Sequence, residues 1–313
     1  MIYLQTVNIT KNFDKHIALD NVSISIPQAK VFGLLGPNGA GKTTFIRILT
    51  GIIQPDTGNI LKDTQKFIPQ PNKIGYLPEE RGLYKKMKVG EQLLYLANLK
   101  GLESREAKLR INKWLEILEI PGVYYRKVDT LSKGMQQKIQ FIAAVVHNPE
   151  FLILDEPFSG FDPVNTQLIK NEIINLKKNG TTIILSTHDM ASVEELCDEI
   201  ALINKSKVVL TGNPFDIRKQ QSKEIYEVQF TGYFNKLEAT LTPSYSILEH
   251  TETGNTTTVK LSLNQEIPVN TLLSHLLKLG NVVSFRHVQP SMNEIFISLV
   301  KNSKIENIEK KEN

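Results

Sequence analysis

Long apolar runs are missing from this chain of 313 residues. Its densest clusters, Phe141 to Val146 and Phe151 to Leu154, fall far short of the roughly 18 residues that a membrane helix needs. The expectation is that the chain crosses no membrane, so any work at one would need a separate embedded partner. Cysteine is nearly absent. Cys197 stands alone, which rules out an internal disulfide and fits a reducing cytosol. It sits in the helix-like stretch 193–197 and reads as core. Charge of one sign is also scarce. A net charge of +4 does not by itself suggest a nucleic-acid binder, yet it tolerates an anionic membrane surface. Residues 1–9 look like a strand and carry no basic-then-apolar leader pattern. There is no internal repeat, no zinc-type spacing and no Ser–His–Asp constellation. What remains is ordinary for a soluble globular protein, with 41% hydrophobic and 22% charged residues, long enough for two domains.

The chain is organised around Gly36-Pro37-Asn38-Gly39-Ala40-Gly41-Lys42-Thr43. The apolar run Val31-Phe32-Gly33-Leu34-Leu35 before it reads as a buried strand, and a helical pattern begins at Thr44 and stops at Gly51. Strand, glycine-rich turn and helix in that order are the context a phosphate-binding loop requires. Glycines let backbone N–H groups turn inward as an anion nest, and the helix N-terminus adds donors and a positive dipole end. Lys42 would reach the β- and γ-phosphates of a nucleotide, and the Thr43 hydroxyl would ligate Mg²⁺.

Around this loop the pattern alternates between strand and helix. Strands are expected at 3–9, 22–26, 59–61, 74–77, 151–154, 181–185, 201–204 and 208–211, with residues 10–21 a polar connector. Phe13 lies in that connector, where two readings fit: stacking on a nucleobase or packing against a loop. Helical spacing at 89–100 and 104–118, with Ser104 as N-cap, marks an insertion whose core would include Trp114 and Leu115. Further helices are expected to about 146 after Leu131-Ser132-Lys133-Gly134, over 164–179 after Pro163, and from Met190. Mostly apolar strands alternating with helices predict a largely parallel sheet covered on both faces. Composition turns polar near residues 220–223. Beyond it, a strand at 225–230, a helix at 233–241, a hairpin around Gly254, a helix at 269–279 and a strand at 282–287 suggest a small α+β domain of βαββαβ type. A Ser291-capped helix over 291–300 follows, and residues 301–313 are charged, sign-mixed and expected to be disordered.

A phosphate loop alone does not decide the class. The apolar strand ending in Asp155-Glu156 does more, because it places a carboxylate at the sheet edge beside the loop. Asp155 would hold Mg²⁺, directly or through water, while Glu156 faces the other way and would polarise a water for in-line attack on the γ-phosphate.

Read together, Gly36 to Thr43, Leu131 to Gln136, Leu152 to Glu156, Ser159 to Asp162 and His188 resemble, in order and rough spacing, the ATP-binding subunits of ABC transporters, over about residues 1–215. The resemblance implies a P-loop ATPase domain at 1–222 with a helical insertion at about 79–131, and an accessory domain at 223–300. It implies a head-to-tail homodimer or heterodimer holding two ATP molecules, each between the P-loop (Gly36 to Thr43, with Thr44 opening the helix) and a signature motif of Ser132 and Gly134. Asp162 would be the dimer-interface residue, His188 the switch histidine near the γ-phosphate, and Phe13 the aromatic that stacks on adenine.

Two departures from the family stand out. Lys133 replaces a glycine in the signature, and Glu79, in Leu77-Pro78-Glu79-Glu80-Arg81, stands where a metal-touching glutamine is usual. Glu79 beside Mg²⁺ and Glu79 in solvent near Arg81 both remain open. With the trailing Pro290-Ser291-Met292-Asn293-Glu294-Ile295-Phe296, these variants are similar to exporter-type subunits for sodium and drug extrusion. The expectation is therefore an ATPase, requiring ATP and Mg²⁺, that is cytoplasmic and held on the inner membrane face by a permease, without nucleic acid. The alternatives are a soluble regulatory ATPase on ribosomes and an importer subunit.

Overall fold

The computed structural model describes residues 1–14, 16–80, 82–222, 224–231, 245–263 and 268–309. It contains two compact units, Met1–Pro214 and Phe215–Asn313. The boundary expected at 222 follows the helix Pro214–Gln220, which falls in the second unit from Phe215 onward.

In the first unit, strands β1 (Ile2–Phe13), β2 (His16–Pro27), β4 (Thr57–Lys62) and β5 (Gln65–Lys66) form an antiparallel sheet in the order β2-β1-β4-β5. The polar connector expected at 10–21 is instead the far end of this hairpin, with Phe13 opposite His16. Register shifts between Thr6 and Ile9 and between Ile9 and Lys11, with Asn8 and Asn21 at φ of 53° and 55°, break the period-2 pattern that would have revealed it.

The central sheet holds β3 (Val31–Leu35), β6 (Ile74–Leu77), β7 (Phe151–Asp155), β8 (Thr182–Ser186), β9 (Glu199–Asn204) and β10 (Lys207–Gly212). Its order is β10-β9-β3-β8-β7-β6, parallel except for β10 against β9. Every residue of β3, β7 and β8 is buried, which accounts for their unbroken apolar sequences. Because the strands are parallel, the C-terminal ends of β3, β7 and β8 share one edge. Helix α1 (Lys42–Leu49) leaves β3 at that edge, burying Phe45, Ile46, Ile48 and Leu49. Cys197 is core, as expected, its thiol pushed up to about 12 by burial.

The insertion contains α2 (Val89–Leu99) and α3 (Ser104–Ile117), and α4 (Lys133–Val145) packs against both. Leu115 is buried, and Trp114, half-buried, meets the Phe141 ring edge-on at 6.0 Å. The expected cap at Ser104 is not made. Ser104 is already helical, and Glu103 takes the cap position without a side-chain bond. Helices α5 (Pro163–Lys178) and α6 (Met190–Leu196) follow β7 and β8, and α7 (Pro214–Gln220) follows β10.

The second unit contains β11 (Ile225–Thr231), β12 (Tyr245–Thr253), β13 (Thr256–Leu263), α8 (Val269–Leu279), β14 (Val282–His287) and α9 (Met292–Glu309). Its sheet is antiparallel in the order β12-β13-β11-β14. Val228, Phe230, Val259, Leu261, Leu272 and Leu276 are its core. The helix expected at 233–241 lies outside the described residues. The expected Ser291 cap is present: Ser291 Oγ accepts from the Glu294 N–H, and Glu294 Oε2 accepts from the Ser291 N–H. Helix α9 runs on through Glu309, over residues expected to be disordered. Charged residues such as Lys, Glu and Arg are good helix formers, and a capped start lets a helix extend through them.

Candidate functional site

A cleft of about 420 Å³ opens at the C-terminal edge of the central sheet. Phe13, Asn38, Gly39, Gly41, Lys42, Thr43, Thr44, Glu79, Asp155, Glu156 and His188 line it, all expected from the sequence, with His16, Ala18 and Ser159 besides. His16 and Ala18 carry no sequence signal of their own, because the alternation that marks β2 is legible only from Val22 onward, six residues past the strand's start. Gly36, Pro37 and Ala40 belong to the loop but do not line the cleft.

The loop needs its glycines. Gly36 and Gly41 have φ of 151° and 110°, and a Cβ on either would lie 2.2 Å from the Ile203 carbonyl or 2.3 Å from that of Ala18. A side chain at either position would break the turn between β3 and α1. Lys42 Nζ donates to the Gly36 and Pro37 carbonyls at 2.6 and 3.1 Å, so the ammonium is held inside the loop. Burial lowers its pKa, against the pull of Glu156, Asp155 and Glu79.

Asp155 ends β7 and is 3% exposed. Burial raises its pKa, and the charges of Glu79 and Glu156 add to that effect. Its Oδ2 is buried without a hydrogen-bond partner. A buried, unpaired carboxylate oxygen facing a surplus of negative charge is costly unless a cation satisfies it. These residues therefore fit a divalent metal. Among the described residues no three His, Cys, Asp or Glu side chains form a cage of their own. That suits Mg²⁺, which keeps waters and phosphate oxygens among its ligands.

Glu156 sits at φ 51°, an uncommon conformation for a residue with a side chain, held by its N–H donating to the Ser186 carbonyl at 2.8 Å. From this turn the Glu156 carboxylate meets the residues just past β8. Its Oε1 lies 2.8 Å from His188 Nδ1, and its Oε2 accepts from the Thr187 hydroxyl at 3.4 Å. His188 itself is largely exposed. Thr187 had no signal in the sequence beyond following a strand. Phe13 lines the cleft and is 47% exposed, with Lys11 Nζ 5.5 Å from its ring centroid. Glu79 is exposed and lines the cleft.

Ser132, Gly134 and Asp162 do not join this cleft. Ser132 caps α4, its Oγ accepting from the Met135 N–H at 3.2 Å. Lys133 opens the helix without positive φ, so this helix start does not depend on a glycine there. Gly134 faces the Phe161 ring and the Gly160 carbonyl, with contacts of 3.7 and 4.0 Å from a notional Cβ. Asp162 caps α5, accepting from the Asn165 N–H at 2.9 Å and from its Nδ2 at 2.6 Å. These hydrogen bonds lower the Asp162 pKa. Gly134 thus sits beside the 159–162 turn, which reaches the cleft through Ser159 alone, while Ser132, Gly134 and Asp162 stay outside it.

The ABC transporter family model matches residues 19–159, and a model for the C-terminal domain of DrrA1-3-like ATP-binding proteins matches residues 212–300. The chain is similar to the ABC transporter ATP-binding protein YhaQ of Bacillus subtilis (strain 168), 43% identical over 94% of this chain and 97% of that one. It is 38% identical to the linearmycin resistance ATP-binding protein LnrL of the same organism, over 68% of this chain and 70% of that one. A solved ATP-binding subunit of an ABC transporter superposes with a TM-score of 0.64 at 29% identity, covering 70% of this chain and 92% of that one. Another cassette, solved in its ADP conformation, gives 0.61 at 28% identity over 71% of this chain and 94% of that one.

Proposed function

The chain belongs to the ABC transporter family as an ATP-binding subunit with ATPase activity, and from that premise we propose that it powers export through a separate membrane permease, working as an ATP-sandwich dimer. One observation carries the dimer: Ser132 and Gly134, a capped helix start suited to an anion, lie outside the cleft that holds Lys42. One copy's cleft would be closed by the signature residues of another. Export is supported by the C-terminal domain match and by the relative named for linearmycin resistance.

In this reading the P-loop amides and Lys42 hold the β- and γ-phosphates, and Phe13 stacks on the base. Thr43, Asp155 and Glu79 would hold Mg²⁺, which would offset charge on the phosphates. Glu156, turned off the strand by its left-handed backbone, orients the attacking water. His188, hydrogen-bonded to it, fixes that carboxylate and reaches toward the γ-phosphate.

The test is size-exclusion mobility of Glu156→Gln with ATP and Mg²⁺. Trapping the nucleotide unhydrolysed should double the apparent mass, and Ser132→Arg in the same background should abolish the shift. A monomer under saturating ATP would overturn the sandwich. A multi-span membrane protein purifying with the tagged chain, from detergent extracts of its own cells, would support the permease reading.

A further inference from the structure

The two oxygens of Glu156 are held by neighbours that differ in kind. His188 Nδ1 lies 2.8 Å from Oε1, but the His188 side chain is 84% exposed. A side chain in solvent changes rotamer in picoseconds to nanoseconds, so this hold is readily given up. Thr187, on the Oε2 side, is 2% exposed. Its branched side chain is stiff about χ1, and close packing leaves it little freedom to turn.

The direction of the Thr187 hydroxyl is also set. The Asp189 N–H donates to Thr187 Oγ1 at 3.1 Å, which occupies a lone pair and leaves the single O–H proton for Glu156 Oε2 at 3.4 Å. Asp189 is itself fixed as the cap of α6, its Oδ1 accepting from the Ala191 N–H at 3.1 Å and its Oδ2 from the Ser192 hydroxyl. Met190, Ser192, Val193 and Leu196 of that helix are buried. A chain of hydrogen bonds thus runs from a packed helix through Asp189 and Thr187 to the carboxylate. The Ser186 carbonyl meanwhile accepts from the Glu156 N–H at 2.8 Å, so the end of β8 grips Glu156 by main chain and side chain together.

The hydroxyl contact is long for an O–H···O bond, as catalytic hydrogen bonds often are before substrate is in place, and such bonds tighten in the reacting complex. We propose that Thr187 is a positioning residue for hydrolysis: its hydroxyl pins Glu156 Oε2, so that Oε1 is presented to the attacking water when the exposed histidine releases it. The inference rests on Glu156 as the residue that orients the water, and the experiment separates a failure of the one from a failure of the other.

The experiment is steady-state ATP hydrolysis by the full chain, beside equilibrium nucleotide titration. Thr187→Val removes the hydroxyl and keeps the branched shape, and kcat should fall roughly tenfold, the worth of one hydrogen bond to a charged group. Thr187 does not line the cleft, so KM and nucleotide affinity should stay within about twofold, and the titration doubles as the folding check. Thr187→Ala, which adds no methyl against the carboxylate, should match it and stands in if the valine variant does not fold. Thr187→Ser keeps the hydroxyl and should restore kcat to within about threefold of the parent. In a Glu156→Gln background the Thr187→Val change should alter residual turnover less than about twofold, because the group it positions no longer acts. A kcat near the parent's in both hydroxyl-free variants, no rescue by serine, or a full loss that persists beside Glu156→Gln would overturn the proposal alone. Near-parent turnover in Glu156→Gln itself would overturn the role of Glu156, and the proposal with it.

Discussion

The two units bury their cores in similar ways but expose their strand ends differently. In the first, β3, β7 and β8 are parallel neighbours, so the loops that leave them all open on one edge. A phosphate loop, a buried aspartate, a turned-out glutamate and a histidine therefore meet in one cleft although more than a hundred residues separate Lys42 from Asp155. In the second unit the neighbours are antiparallel, so strand ends alternate between edges. Its charged groups instead pair across neighbouring strands, as in Arg286 with Glu227 and Lys260 with Glu249. Parallel topology gathers the loops of several strands at one edge, whereas antiparallel neighbours send successive loops to opposite edges.

The largest test of this contrast is within the cleft. Glu156→Gln keeps shape but loses the charge that orients water, so turnover should fall by on the order of 10²-fold or more while nucleotide binding survives. Lys42→Ala should instead weaken binding by roughly 10- to 100-fold, because a charge-assisted contact to phosphate is lost. Steady-state turnover beside equilibrium nucleotide titration separates them, and near-normal turnover in Glu156→Gln would remove that residue from the mechanism.

Stability should respond in the opposite sense at Asp155. Its folded pKa is raised by burial. The folded chain therefore holds that proton more tightly than the unfolded one, and stability falls as pH rises through the ordinary carboxylate range toward the raised value. Asp155→Asn removes the buried charge and should stabilise the nucleotide-free protein near neutral pH by on the order of 1–3 kcal/mol. The same change should abolish turnover. Denaturant melts without nucleotide would show it, and a destabilised variant would contradict the picture of an unpaired buried carboxylate.

The second unit should be breakable without touching the first. Phe230 is fully buried in its core, and Phe230→Ala should cost that unit about 3–5 kcal/mol. Turnover of the first unit should change less than threefold. A chain ending at Ser222 should likewise still bind MgATP. If either change removes nucleotide binding while circular dichroism shows folded protein, the units are not separable in function.

Legibility in the sequence follows the same contrast. Strands buried on both faces announce themselves as unbroken apolar runs, so β3, β7 and β8, and with them the cleft residues at their ends, were readable directly. The β1–β2 hairpin was not. One side of it meets solvent and bulges interrupt its alternation, and His16 and Ala18 were lost with it. That Gly134 sits beside Phe161, and that neither it nor Ser132 joins the cleft with Lys42, is a fact of distance in space, which no spacing along the chain encodes.

The smallest expected effect concerns Glu79, whose place at the cleft rim leaves its part to be measured. A glutamine there would offer a metal a neutral carbonyl and could also donate a hydrogen bond, whereas glutamate brings full charge and no donor while ionised. That charge favours a cation but repels the γ-phosphate, and the two effects oppose each other at similar range. Glu79 is exposed while Asp155 is buried, so solvent screens the first carboxylate far more than the second. Glu79→Gln should accordingly leave maximal turnover within about tenfold, since the water is oriented by Glu156. The Mg²⁺ concentration for half-maximal activity should rise, because an anionic oxygen has left the metal's surroundings. Mg²⁺ titrations of parent and variant at fixed ATP decide it: displaced curves put Glu79 beside the metal, and superimposable curves make it a surface charge.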